Sequence, residues 1–130
     1  MIGIDSSILI DILRNPDKAH ILDQYQGEEL CTSEIVVYEI LYGVYASQHA
    51  SIRRIEQFEA VLGTFAHVFP VDGRASRRAA QIAGHLARKG QMIEHRDALI
   101  AGCLLAHGCS QFLTKNRKDF DKISGLHVLP

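Results

Sequence analysis

Four carboxylates and one amide in this chain are spaced as though a single edge of a sheet had to gather them. Asp5 closes the first apolar run of "MIGIDSSILI", and Glu39 lies inside "SEIVVYEILYG". Asp97 falls in "HRDALIAG", while Asn116 and Asp119 share "TKNRKDF". Carboxylates brought together repel one another unless a cation joins them. An all-oxygen donor set, without His or Cys, favours a hard ion, Mg²⁺ or Mn²⁺, over zinc. Such an ion activates water and steadies a phosphodiester under in-line attack. Glu39 is the hardest of these to read as ordinary surface. It sits among Ile35, Val36, Ile40 and Tyr42 on an apolar helix, where an unpaired carboxylate is costly; something cationic should meet it. Structural alternatives stay open for the others. Asp5 could cap the helix that follows, Asp97 suits any first helical turn through the dipole, and Asp119 could cap a short turn.

The elements that would position these groups appear as short apolar runs between helical patterns. Ile2 to Asp5 reads as a strand and Ser6 to Leu13 as a helix, with helix restarting at Pro16 and Asp17 toward Tyr25. Leu30 to Thr32 reads as a second strand, after which Ser33 caps a strong helix. Ile52 to Leu62 is helical, and His67 to Val71 reads as a third strand. Asp72 then caps a helix from Arg74 to Arg88, ended by Gly90. A further helix runs from near His95 to His107, where Gly108 stops it. Gln111 to Thr114 and His127 to Leu129 read as the last strands. Short apolar strands alternating with helices predict an α/β fold, with a parallel sheet of four or five strands covered on both faces. Ligands of such sheets collect beyond the carboxyl ends of the strands. Asp5 ends the first strand at that edge, and Glu39 leans back toward it from the second turn of its helix. Asp97 starts the helix feeding the fourth strand, and Asn116 and Asp119 follow that strand. All five reach one rim.

No repeat, low-complexity tract or linker interrupts the 130 residues, which read as one domain, residues 1–130. A hydrophobic fraction of 47% with 22% charged residues is that of a soluble globular protein. No apolar run approaches the ~20 residues of a membrane helix, and the N-terminus lacks signal-peptide features, so a cytoplasmic protein is expected. Cys31, Cys103 and Cys109 are odd in number and set in apolar surroundings, which suits reduced, buried thiols. The net charge of -1 gives no global nucleic-acid footprint, so contact with a polyanion would rest on local basic patches.

Four blocks in order carry a family resemblance: "IDSSILIDIL", "SEIVVYEILYG", "HRDALIAGCLLAHG" and "FLTKNRKDFDKISGLHVL". Over nearly its full length the chain resembles the PIN-domain ribonucleases, and among them the VapC-type toxins of toxin–antitoxin modules. That resemblance implies a three-layer α/β/α PIN-like fold and Mg²⁺- or Mn²⁺-dependent endonuclease action on RNA. It also implies a homodimer and inhibition by a cognate antitoxin protein. Asp5, Glu39 and Asp97 match the family's acidic metal positions. Thr114 matches the hydroxyl residue after the fourth strand, and Asp119 the acid before the phenylalanine of the last block. Asn116 stands where many members carry a fourth acid, and Ser7 replaces a usual asparagine, while Ser6 suits the hydroxyl common after the first acid. The two neutral departures weaken any second metal position more than the first. The implied chemistry is hydrolysis by activated water, leaving 5′-phosphate and 3′-hydroxyl ends with no covalent enzyme intermediate.

Lys115, Arg117 and Lys118 flank the proposed site, and Arg96 adjoins Asp97; these are the candidate contacts to RNA phosphates. Arg74, Arg77 and Arg78 share a helix and read as a solvated face. Glu94 reads as a solvated residue at a helix start. Tyr38, Tyr42 and Tyr45 recur at helical spacing; core packing should explain at least one of them. The helices here form the antitoxin groove in VapC-like proteins, and an exposed tyrosine stripe would fit helix-in-groove recognition. Cys103, His107 and Cys109 invite a zinc reading, but no fourth ligand or known spacing supports it. Two alternatives stand beside the toxin: an RNA-processing PIN nuclease without an antitoxin, and a catalytically weak PIN interaction module. A phosphohydrolase with an aspartate nucleophile ranks low, because Ser7 occupies the place of its second aspartate.

Overall fold

Ile2, Gly3 and Ile4 offer nothing polar from their side chains, and all three are buried. Successive strand residues face opposite sides, so both faces of this strand must be covered and it belongs in the middle of a sheet. The computed structural model describes residues 1–49 and 51–130 and places it there. In chain order come β1 (Ile2–Ile4), α1 (Ser6–Arg14), a 3₁₀ stretch (Pro16–Tyr25), β2 (Leu30–Ser33) and α2 (Glu34–Ala46). These are followed by α3 (Ile52–Leu62), β3 (His67–Phe69), α4 (Gly73–Arg88) and α5 (His95–Ala106). The chain closes with β4 (Gln111–Leu113), α6 (Arg117–Phe120) and β5 (His127–Val128). The sheet order is β3-β2-β1-β4-β5, and each neighbouring pair is parallel. With helices over both faces, this is the expected three-layer α/β/α fold. The order changes direction at β1, between β2 and β4, so the crevice of such a sheet opens beyond Ile4.

The core lies on either side of β1. Ile4, Leu9, Val36, Phe58, Leu104 and Phe112 are all fully buried, and Phe112 meets Phe120 edge to face at 4.7 Å. Burying one such side chain contributes roughly 1.5–3 kcal/mol. The α4–α5 pair is held unusually close. A Cβ at Gly102 would stand 2.5 Å from the backbone nitrogen of Ala79, so only glycine permits this approach. The two helices run antiparallel, since Asp72 before α4 meets His107 after α5 at 3.1 Å. The last turns of α4 therefore lie beside the first turn of α5. Gly108, at φ 84, provides the left-handed turn that ends α5.

Most element bounds differ from expectation by a residue or two, for identifiable reasons. β1 stops at Ile4 because Asp5 serves as N-cap of α1. β3 stops at Phe69 because Pro70, lacking an N–H, cannot continue the ladder. β4 stops at Leu113, where the Thr114 side chain turns to Asp5. The helix expected from Pro16 is a 3₁₀ stretch with no buried residue, and α6 was not anticipated. A larger correction concerns the tyrosines. Core packing explains none of them: Tyr38, Tyr42 and Tyr45 are 57%, 60% and 65% exposed. α2 buries Val36, Ile40 and Val44 instead, and that four-residue step turns the tyrosines outward, with Tyr38 stacked on Tyr42. The thiol expectation holds, for all three cysteines are free and buried. His107 spends its ring on the Cys103 carbonyl and on Asp72, not on a metal with the thiols.

Candidate active site

Asp5 is 5% exposed and fully engaged at the head of α1. Its Oδ1 accepts the Ser6 backbone N–H at 2.8 Å. Its Oδ2 accepts the Thr114 hydroxyl at 2.6 Å and the Ser7 hydroxyl at 3.1 Å. Capping is thus part of what Asp5 does. The Thr114 oxygen also accepts the Asn116 backbone N–H at 3.0 Å, and Ser7 accepts that of Lys115 at 3.1 Å. These bonds tie the loop after β4 to the start of α1 and fix the carboxylate's direction. Ser7, which stands in place of the family's usual asparagine, is therefore a positioning hydroxyl.

Glu39 and Asp97 show the strain expected of a carboxylate cluster. Burial, then the nearby charge of Asp5, lifts the Glu39 carboxyl from its ordinary 4.5 to about 7. The same two causes lift Asp97 from 3.8 to about 6. Asp97 adds to the push on Glu39, and Asp119 adds to that on Asp97. Four of the sequence-predicted acids therefore feel one another. The cation sought for Glu39 is Arg96, with Nη1 3.9 Å from Oε2 and Nη2 3.5 Å from exposed Glu94. That pairing leaves the buried Glu39 Oε1 with no hydrogen-bond partner among the described residues.

Asn116 is where the amide matters. Its Nδ2 donates to Asp97 Oδ2 and to Asp119 Oδ2, both at 3.3 Å, so a neutral donor joins two like charges. Asp119 also accepts from Lys122, three residues on, at 3.4 Å. Lys122 escaped sequence reasoning, although its spacing on a short helical turn was a usable signal. The candidate phosphate contacts differ in their freedom. Lys115 is drawn to Asp11 at 2.8 Å, Arg117 to the Leu129 carbonyl and Asp121, and Arg96 to Glu39 and Glu94. Lys118 is exposed.

Among the described residues, no three carboxylate, imidazole or thiol side chains close on one point at ligand spacing. The donor chemistry nonetheless fits a hard divalent ion. All donors are oxygens, two of the acids are held above their ordinary range by burial and mutual repulsion, and one buried oxygen of Glu39 has no hydrogen-bond partner among the described residues. A cation would relieve each of these at once. Beside Glu39, a groove of about 270 Å³ runs between α1, α2 and α3. Ile10, Leu13, Ile40 and Val44 make its apolar wall, and Arg14 and Arg54 add cations.

The PIN domain family model matches residues 2–126, and the chain belongs to the PIN-domain family. It is 32% identical over 128 residues to Ribonuclease VapC1 of Rickettsia felis, covering 97% of this chain and 92% of that one. It is 28% identical over 130 residues to the tRNA(fMet)-specific endonuclease VapC of Shigella flexneri, covering 96% and 93% respectively. The fold is similar to that of VapBC2 from Rickettsia felis bound to a promoter DNA fragment. There the TM-score is 0.85 at 21% identity, over 99% of this chain and 98% of that one.

Proposed function

We propose that this protein is a divalent-metal-dependent endoribonuclease, a single PIN domain over residues 1–130 acting as the toxin of a toxin–antitoxin pair. The observation that carries the reading is the Glu39–Asp97 pair: two half-buried carboxylates lifted toward neutrality by burial and then by the charge of Asp5, one with an orphaned oxygen. Asp5, Glu39 and Asp97 would hold Mg²⁺ or Mn²⁺. That ion, when bound, supplies charge to offset the phosphodiester and lowers the cost of ionising water. The chain's own residues do the rest. Thr114 and Ser7 orient Asp5, Asn116 holds Asp97 and Asp119 together, and a carboxylate of the cluster receives the proton of the attacking water. Lys118, Arg96, Lys115 and Arg117, close in sequence to the acids of the cluster, would be the cations that meet a phosphate backbone. The apolar groove ending at Glu39 suits a segment of the antitoxin, since its occupant would pass directly beside the cluster. Homodimerisation and cytoplasmic action complete the reading. In keeping with the latter, no helix among the described residues is long and apolar enough to cross a membrane.

An interaction module, whose acids only cap helices, draws support from Asp5 alone. Glu39 caps nothing, and a module would have no reason to hold it half-buried at that position. The test is expression of the chain in a bacterial host. Growth arrest with accumulating 5′-phosphate RNA fragments is expected, abolished by Asp97→Asn and relieved by co-expressing a small DNA-binding protein encoded beside the gene. Arrest without RNA fragments, or equal arrest by Asp97→Asn, would contradict the reading.

A further inference from the structure

A second basic feature lies outside the groups already assigned. Between α4 and the turn after α6, a cleft of about 290 Å³ is lined by Arg78, His85, Arg88 and Lys122 over an apolar floor of Ile82, Leu86 and Ile123. No acidic residue lines it. Arg78, Ile82, His85 and Arg88 follow helical spacing on one face of α4, so the cations form a row instead of a scatter. Arg78 is half-buried, its guanidinium 3.8 Å from where a Cβ would stand at the Gly125 turn. Neither Arg78 nor Arg88 pairs with a carboxylate among the described residues. Arg77, its neighbour, instead folds back onto the Gly73 carbonyl. A solvated face describes Arg77 and does not describe Arg78.

The cleft connects to the carboxylate site through Lys122. Lys122 lines it and reaches Asp119 Oδ1 at 3.4 Å. The antiparallel α4–α5 packing brings the last turns of the α4 backbone toward the helix start that carries Asp97. From Arg88 back to Arg78 the row extends about 15 Å along the helix at 1.5 Å per residue, long enough for more than one phosphate. An acid-free, cation-lined cleft opening at the reacting edge suits a polyanion that must pass through that edge. Single-stranded RNA is such a ligand: its backbone is tracked by cations, while its bases pack on apolar surface.

We propose that this cleft holds the RNA strand on one side of the scissile bond, with Arg78 and Arg88 binding phosphates beyond those at the carboxylate site. This rests on the ribonuclease reading. Both residues act in positioning and neither touches the reacting atoms. The test measures binding of a labelled single-stranded RNA of about twelve nucleotides by fluorescence anisotropy in chelator over a range of salt. Cutting of the same RNA in Mg²⁺ is followed alongside.

The double variant Arg78→Gln/Arg88→Gln is expected to bind about tenfold more weakly. Its slope of log affinity against log salt should be shallower by about 1.4, or 0.7 for each lost phosphate contact on a single strand. KM for the long RNA should rise with it, while kcat and the cutting of an RNA of about four nucleotides stay unchanged. Arg78→Lys/Arg88→Lys should restore most of the slope, which a merely structural role would not do. If the wild-type chain cuts RNA and the Gln variant keeps its affinity and slope, the cleft proposal is overturned alone. That outcome would leave these cations to an acidic protein partner. If the wild-type chain neither binds nor cuts RNA, the ribonuclease reading falls and takes the cleft with it.

Discussion

Replacing Glu39 by glutamine isolates what its charge does to the metal-free fold. The carboxyl rises from 4.5 to about 7 on folding, chiefly through burial, so between those values the folded state holds more protons than the unfolded chain. Stability must then fall as pH rises through that interval and level off above it. At 1.36 kcal/mol per unit, the full shift corresponds to roughly 3 kcal/mol. The side chain keeps 20% exposure and Arg96 stands nearby, so screening leaves on the order of 1–2 kcal/mol. Glu39→Gln, which cannot ionise, should match the wild type at pH 4.5 and exceed it by that amount at pH 8 in chelator. In melting temperature this is about 5 °C for a domain of this size. Thermal unfolding of both proteins from pH 4.5 to 8 measures the difference, with the titrating groups remote from Glu39 cancelling. Adding Mg²⁺ at pH 8 should raise the wild type and leave the variant nearly unmoved. A difference independent of pH, or equal stabilisation of both proteins by Mg²⁺, would refute the reasoning.

Three further substitutions probe the supports of the site. Thr114→Val removes the 2.6 Å donor to Asp5 and the acceptor for the Asn116 N–H; it should cost about 1.5–3 kcal/mol in urea unfolding and slow single-turnover RNA cutting by at least about tenfold. Asn116→Asp sets a third charge between Asp97 and Asp119, 3.3 Å from each. Calorimetry in chelator at pH 7.5 should find it less stable by on the order of 1–2 kcal/mol, with tighter Mg²⁺ binding in exchange. Gly102→Ala forces a Cβ to within 2.5 Å of the Ala79 backbone. Despite about 1 kcal/mol of improved helix propensity, chemical denaturation should show a loss of about 2 kcal/mol.

The sheet was legible because its strands are buried on both faces and so carry unbroken apolar runs, and because Ser33, Asp72 and Gly108 mark helix limits with side-chain or backbone chemistry. Convergence of the acids followed from topology alone: in a parallel sheet, residues just after a strand and just inside the next helix share an edge. What stayed hidden depends on side-chain direction. Nothing in the spacing told that Asn116 would bridge two acids, that Lys115 would be taken up by Asp11, or that Ser7 would join Thr114 at Asp5. The tyrosine error has the same origin. On a helix as apolar as α2, several stripes compete for the core, and only packing against α1 and α5 decides that Val36, Ile40 and Val44 win. Arg78 looked like its neighbours until the turn at Gly125 enclosed it.

The most direct test of the metal-centre account is cutting of a labelled RNA by the purified chain as Mn²⁺ is titrated from zero, with Asp97→Asn beside it. The account predicts no cutting in chelator, a saturable rise with Mn²⁺, 5′-phosphate ends, and loss of nearly all activity in the folded variant. Cutting that persists in chelator, or that Asp97→Asn performs as well as the wild type, would contradict it.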